Sequence, residues 1–270
     1  MHLEALKRMT DTFPDTAPMP VLFVGHGNPM NALEDNVFSQ TWRRLGRELP
    51  TPQAILCISA HWETRGTHVT ISPFPKTIHD FGGFPDALYQ VQYPASGSEA
   101  LALGTKDMLH PHAVSLDPNW GLDHGCWSVL LHMYPEAKIP VVQLSLDRRM
   151  GPAQHVALAQ QLQPLRRKGI LIVASGNIVH NLGVMDFSRT TSAYDWALDA
   201  NDQLKSLISA RDIAKLCNYP NLGLAVKQAI PTPEHYLPLL YALGASDTDA
   251  AFFNDAIVLG SIAMTGMVFR

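Results

Sequence analysis

Four short stretches of this chain are apolar at odd and even positions alike, and amphipathic stretches separate them. MPVLFV (19–24), AILCISA (54–60), IPVVQLSL (139–146) and GILIVASG (169–176) are rich in Val, Ile and Leu throughout. A strand wetted on one face alternates apolar with polar, whereas one covered on both faces reads as a continuous apolar run. Between the runs, residues 37–48, 98–109, 125–133, 152–167 and 194–209 space their apolar side chains at helical intervals. One of these starts at Pro152, where the first helical turn tolerates a missing N–H. The tail AIVLGSIAMTGMVF (256–269) predicts one or two late strands. Strands alternating with helices predict an α/β fold, a three-layer α/β/α sandwich around a mostly parallel or mixed sheet. No repeat or low-complexity linker divides the chain, so residues 19–270 are expected to form a single domain. Residues 1–18 read as a short N-terminal extension without the apolar stretch of a signal peptide.

Two segments, 62–97 and 177–193, lack periodicity. Loops this long in a compact domain carry function or hide elements. The first contains ISPFPKTIHDFGGFP, whose Pro, Gly and Phe suit a covered aromatic pocket wall and a surface hairpin equally well.

Composition narrows the function classes. A hydrophobic fraction of 46% against 16% charged residues supplies a large core and excludes a disordered chain. The formal net charge of -4 gives no basic footprint for nucleic acid. No apolar run is long enough to cross a bilayer, so no membrane partner is expected. The cysteines, Cys57, Cys126 and Cys217, are odd in number and form no CxxC pair. That argues against a disulfide framework or a thiolate zinc site and favours a reducing compartment, the cytoplasm. Cys57 lies inside an apolar run and reads as a core residue.

Histidine carries the chemistry, with 12 in the chain. In open α/β sheets, ligands gather beyond the carboxyl ends of the strands. His26 follows the first apolar run in VGHGNPM, between glycines that let the backbone turn sharply. His61 follows the second in SAHWE, and His180 follows the fourth in ASGNIVHN. One such histidine is most simply a packing or capping residue, but three at one sheet edge point to a shared ion. Neutral imidazole is the commonest side-chain metal ligand and suits iron and zinc. His235 lies in PTPEHYLPLLYALG, where Thr232 suits an N-cap, Pro233 a first helical position and Glu234 the positive end of the helix dipole. The pattern therefore puts His235 in the first turn of a helix. Glu234 and His235 would project about 100° apart there, so one of them faces the ion. His124, in WGLDHGCW beside Asp123, suits an acid/base group, a hydrogen-bond partner of a ligand, or a plain helix start. His79 is a weaker candidate for a pocket wall, while His2, His68, His110, His112, His132 and His155 carry no feature beyond surface or helix-face placement.

The segments GHGNPM, SAHWETRG, TIHDFGGFP, LDHGCWSVL, ASGNIVHNL and PTPEHYLPLLYALG resemble the 4,5-DOPA extradiol dioxygenase group of the LigB-type (class III) extradiol dioxygenases, bacterial members most of all. The six motifs occur in the family's order, from about Met19 to the C-terminus. The resemblance implies a LigB-like α/β fold, one non-haem divalent metal ion and O2-dependent cleavage of an aromatic ring beside two hydroxyls. Carried over, His26 and His61 match metal ligands, and His235 matches a further ligand in the DOPA-type branch. His180 matches either a fourth metal contact or the catalytic base beside it, and His124 matches a second, proton-handling histidine. The broader class holds Fe2+ with two histidines and a carboxylate, for which His235 and Glu234 are the local candidates here. An all-histidine set also suits zinc, so the expected cofactor is one divalent ion, Fe2+ for activity and Zn2+ as an ion an isolated sample carries. Asn28 stands where bacterial members often have serine, and 203–224 has little counterpart. The implied partners are O2 and a small catechol such as L-DOPA. The implied product is a muconic semialdehyde, 4,5-seco-DOPA in that case, which cyclises to betalamic acid. A monomer or small homo-oligomer is expected. The rival readings are a zinc-dependent hydrolase on the same scaffold and a non-enzymatic binding protein.

Overall fold

The computed structural model describes Met9 and residues 12–270, so the greater part of the 1–18 extension, with His2, lies outside the described residues. In chain order the strands are β1 (Val21–Gly25), β2 (Ala54–Thr64), β3 (Thr67–Thr70), β4 (Val114–Asp117), β5 (Val141–Asp147), β6 (Ile170–Gly176), β7 (Ala250–Phe253), β8 (Ile257–Val258), β9 (Ile262–Ala263) and β10 (Gly266–Phe269). Among the described residues, eight of them form one sheet in the order β4-β3-β5-β2-β6-β1-β10-β7, and β8 pairs with β9 in a separate hairpin. The four double-sided apolar runs are the four central strands β5, β2, β6 and β1, all mutually parallel. β10 and β7 continue the sheet antiparallel at one edge, and β3 lies antiparallel to β5 towards the other.

Period-2 alternation sends successive residues of each central strand into different cores. Val21, Phe23, Leu56, Ile58, Ile172 and Ala174 join one apolar cluster, together with Val156, Leu204 and Leu240. These last three come from helices Pro152–Gln160, Asp195–Ser209 and Leu237–Gly244. Leu22, Val24, Ile55, Cys57, Leu171 and Val173 join the other, with Trp42 and Trp127 from helices Val37–Glu48 and His124–Met133. The chain is thus an α/β sandwich with helices on both faces of a mostly parallel sheet. Helix Val37–Glu48 starts where Asn36 accepts the backbone N–H groups of Phe38 and Ser39, and it buries Trp42 and Leu45 one turn apart.

Several elements differ from the sequence reading. The helix expected over 152–167 stops at Gln160 and resumes as a 3-10 helix, Gln163–Lys168. Pro164 explains the break, because it has no N–H for an α-helical bond back to Gln160. The helix expected from Thr232 begins instead at Leu237. Pro238 fits only a first turn, which forces the start four residues later and leaves His235 in the preceding turn. Segment 62–97 hides β3 and the short helix Asp86–Tyr89, and the tail strands are preceded by β7. No helix among the described residues is long and apolar enough to cross a membrane. All three cysteines are free.

His155 sits in the first core with no exposed surface, its Nδ1 3.1 Å from the Tyr241 hydroxyl. Burial lowers its pKa from 6.5 to about 4, with Asp147 opposing the shift. Below pH 6.5 the unfolded chain therefore takes up a proton that the folded chain refuses. Stability fully present at neutral pH is lost as the pH falls from 6.5 towards about 4, by about 3 kcal/mol for this ring. Other buried imidazoles titrate too, so the measurement is a difference. Denaturant midpoints of wild type and His155→Gln between pH 7 and 4 should converge by that amount, and parallel curves would contradict it.

Candidate metal centre

His26, His61, His124, His180 and His235 all line one cavity of about 640 Å³ at the carboxyl edge of the parallel strands. His26 follows β1, and His180 lies four residues beyond β6. His61 lies within β2 and not after it, where the register against β5 shifts between Ile58 and Glu63. Such irregularities re-aim side chains. His124 opens helix His124–Met133, capped by Asp123 through the Cys126 N–H. His235 is held by its own backbone, since its carbonyl accepts the Asn177 N–H at 2.8 Å. That approach requires Gly176, because a Cβ there would stand 2.2 Å from the His235 oxygen.

The rings of His26, His61 and His235 are 5.0, 5.0 and 5.4 Å apart, centroid to centroid. Each Nδ1 has an outer polar neighbour, within hydrogen-bond reach for His26 and His235 and at ion-pair distance for His61. Ser175 donates its hydroxyl to the Gly125 carbonyl at 2.5 Å, so it can only accept from His26 Nδ1 at 2.9 Å. His61 Nδ1 lies 3.4 Å from Asp80 Oδ2, and His235 Nδ1 lies 3.1 Å from Glu234 Oε1. A proton on each Nδ1 leaves each Nε2 with its lone pair free, the arrangement typical of metal-bound histidine. His26 Nε2 and His61 Nε2 stand 3.1 Å apart. Two bare lone pairs at that distance repel, whereas two nitrogens each bound at about 2.0–2.1 Å to one ion stand roughly 3.0–3.4 Å apart. The donor set therefore fits a divalent ion. Glu234 takes the outer side of the His235 ring and also accepts from Thr232 Oγ1 at 2.8 Å.

Electrostatics favours neutral rings. Burial, then the neighbouring imidazoles, pushes the pKa of His26 and His235 well below the ordinary value. Burial and His124 bring His61 down to about 3, with Asp80 opposing. Burial brings His180 to about 4, with Glu234 opposing. Neutral imidazole is the form that binds a metal.

His180 stands differently. Its ring lies flat on His235, with centroids 3.5 Å apart and planes at 10°. Imidazole lone pairs lie in the ring plane, so two nearly parallel stacked rings do not aim at one point. One ligand atom each from His180, Glu234 and His235 falls within 4.8 Å of the others, as does one each from His26, His61 and His124.

Asp80 ties the second histidine group together. Its Oδ1 accepts the His124 backbone N–H at 2.9 Å and lies 3.0 Å from His124 Nδ1. Burial alone would raise the Asp80 pKa, but the hydrogen bond and charge of His124, then His61, hold it below the usual carboxylate range. Behind it, Asp123 has no exposed surface and accepts from Ser59 at 2.6 Å and Gln143 at 2.7 Å. Burial, then Asp80, raises its pKa to about 6 against those hydrogen bonds. Of segment 62–97, Asp80–Phe84 line the cavity, as a pocket wall would. His79 does not line it. Its Nε2 meets the Val91 carbonyl at 3.0 Å and its ring packs on Phe81, Tyr89 and Trp127. Asp80, next to it, takes the cavity side.

Replacing Gly176 by Ala should push the His235 turn away from β6. The expected result is a fall in zinc affinity of about 10–100-fold, the range for losing a ligand's support, measured by competition with a chromophoric chelator. Unchanged affinity would mean that the close approach of the two backbones does not set the site.

The comparisons with known proteins follow the same lines. The family model "Catalytic LigB subunit of aromatic ring-opening dioxygenase" matches residues 10–269. A protein of Escherichia coli K12 named 4,5-DOPA dioxygenase extradiol is 48% identical over 261 residues, covering 94% of this chain and 96% of the relative. A protein of the same name from Beta vulgaris is 38% identical, covering 83% and 85%. The crystal structure of an uncharacterized E. coli K12 protein superposes with a TM-score of 0.81 at 43% identity, covering 93% of this chain and 100% of that one.

Proposed function

This chain belongs to the LigB family of aromatic ring-opening dioxygenases and is an extradiol dioxygenase; from that premise we propose that it opens a catechol with O2 at one ion held by His26, His61 and His235. What supports the ligand assignment is the closeness of the three rings, 5.0 to 5.4 Å apart centroid to centroid, each with a polar neighbour beside its Nδ1. Residues 19–270 are the catalytic domain in this reading. Fe2+ is the working ion, since zinc has no redox chemistry, and Zn2+ occupies the same nitrogens in a resting sample. When bound, the ion supplies Lewis acidity toward the two catechol oxygens and a path for electrons from the ring to O2.

The protein's own groups do the rest. His124, backed by Asp80, takes a proton from a catechol hydroxyl, and the carboxylate stabilises the imidazolium that forms. His180, neutral and stacked on His235, handles the second proton and returns it as the ring opens. Phe81 and Phe84 pack edge to face and wall the place of the aromatic ring. The product is a muconic semialdehyde. From L-DOPA, one form of the DOPA that the relatives' names carry, it is 4,5-seco-DOPA, which closes to betalamic acid. Three free cysteines favour the cytoplasm, and the protein works as a monomer or small homo-oligomer.

Iron-loaded protein supplied with L-DOPA or another catechol in air should consume one O2 per ring opened and form a yellow product. The zinc-loaded protein should be inert. Absence of oxygen uptake across a catechol panel would overturn this reading in favour of a hydrolase.

A further inference from the structure

At the amino edge of the parallel strands, opposite the metal centre, lies a second cavity of about 550 Å³. Ring cleavage makes no use of it. Gln163, Arg166, Arg167, Asp247, Thr248 and Arg270 line it. The first three belong to the 3-10 helix Gln163–Lys168, just before β6, and Arg270 follows β10, whose last residue pairs with the first of β1. Met19 precedes β1 and His26 follows it. Extended chain at about 3.3 Å per residue therefore separates the two cavities by roughly 20 Å.

Three guanidinium groups meet one side-chain carboxylate here. Arg166 is only 6% exposed. Its Nε donates to the Met19 carbonyl at 2.6 Å, but Asp247 Oδ1 stands 3.8 Å from its Nη1, beyond hydrogen-bond length. Among the described residues, neither Nη atom of Arg166 has a hydrogen-bond acceptor. Asp247 is itself 83% exposed, so water screens its charge. Burial lowers the Arg166 pKa, with Asp247 opposing and the Arg167 guanidinium adding to the shift. A buried cation with open N–H donors and a like-charged neighbour is costly until an anion pairs with it. The wall opposite is held in place. Arg211 donates to the carbonyls of Leu243, Ser246 and Thr248, and Gln163 to that of Gly244, which fixes the loop carrying Asp247.

We propose that this cavity binds a dianionic phosphate group, of free phosphate or of a small phosphate ester, through Arg166, Arg167 and Arg270. Guanidinium forks match phosphate oxygens bidentately. Three cations less one carboxylate leave a surplus of two charges, which a phosphate dianion cancels and a monocarboxylate only halves. The occupant stabilises the fold by binding the native state alone.

Calorimetry on zinc-loaded protein at pH 8 tests this with inorganic phosphate, glycerol 1-phosphate and AMP, and with acetate as the monocarboxylate. At least one phosphate compound should bind at about one per chain, at least about tenfold tighter than acetate. Tightest binding of inorganic phosphate identifies the free ion as the occupant, and tightest binding of an ester identifies a phosphorylated metabolite. Arg167→Gln and Arg270→Gln, both at exposed positions, should each weaken binding by about 5–10-fold. Arg47→Gln, exposed on helix Val37–Glu48 and outside the cavity, should leave it unchanged. Asp247→Asn should tighten binding by about twofold or more. Arg166→Gln should abolish it, with circular dichroism as the check on folding; if that variant does not fold, the exposed ones decide. No binding at millimolar concentration, or acetate bound as tightly, would overturn the proposal. So would binding indifferent to Arg167→Gln and Arg270→Gln, as phosphate on the zinc ion would be.

Discussion

Alanine at His26, His61 or His235 should yield a folded protein that purifies almost free of metal and opens no catechol. In the proposed site each ring supplies one nitrogen to the ion, which has no substitute for it once the side chain is gone. Loss of a supporting hydrogen bond alone typically costs about 10–100-fold in metal affinity, so loss of the ligand itself should cost more than about 100-fold. Folding should survive, because the sheet is held by the two apolar clusters on its faces and not by the site. Metal per chain by elemental analysis, with circular dichroism as the check on folding, decides the matter. His180→Ala is the comparison: its ring is stacked face to face on His235, so this variant should keep close to a full complement of metal. A His180→Ala protein as metal-poor as the other three would overturn the three-ligand assignment and make it four.

The second large effect is on rate. His124→Ala and His180→Ala should each lower kcat by about 10²–10⁴-fold, the usual worth of a positioned acid or base, with metal content near that of wild type. His124 is the sharper case. One carboxylate, Asp80, accepts its backbone N–H and lies 3.0 Å from its ring Nδ1, beside the cavity that the imidazole lines. Steady-state oxygen uptake on variants matched for iron content separates this loss from metal loss. Retained kcat in His124→Ala would move proton handling to His180 alone.

The middle of the sheet could be read from the sequence because β5, β2, β6 and β1 are covered on both faces, and such strands announce themselves as unbroken Val, Ile and Leu. The edges could not. VSLD of β4, the edge strand, and THVT of β3 beside it are four residues long and at least half polar, which keeps an edge from aggregating but also lets it escape notice. The same division holds in the site. His26 and His180 were legible as residues at strand ends, and His61 nearly so, its strand running on past it through an irregular register. His235 was legible by motif, although Pro238 moved its helix start. Asp80 and Ser175 were not legible, because what they do is hold a partner 44 and 149 residues away in the chain, and nothing local marks that. His79 drew attention in TIHDFGGFP as the histidine there, but it is the aspartate next to it that enters the cavity.

Each ring of the trio is carried by a different segment, and each of those segments is pinned by its own packing before any ion arrives. The ion is therefore a late guest in a finished house. If the proposed ferrous ion is the one held there, its loss should be reversible by uptake of a fresh ion, since the sheet beneath the rings is held by its two apolar clusters and not by the metal.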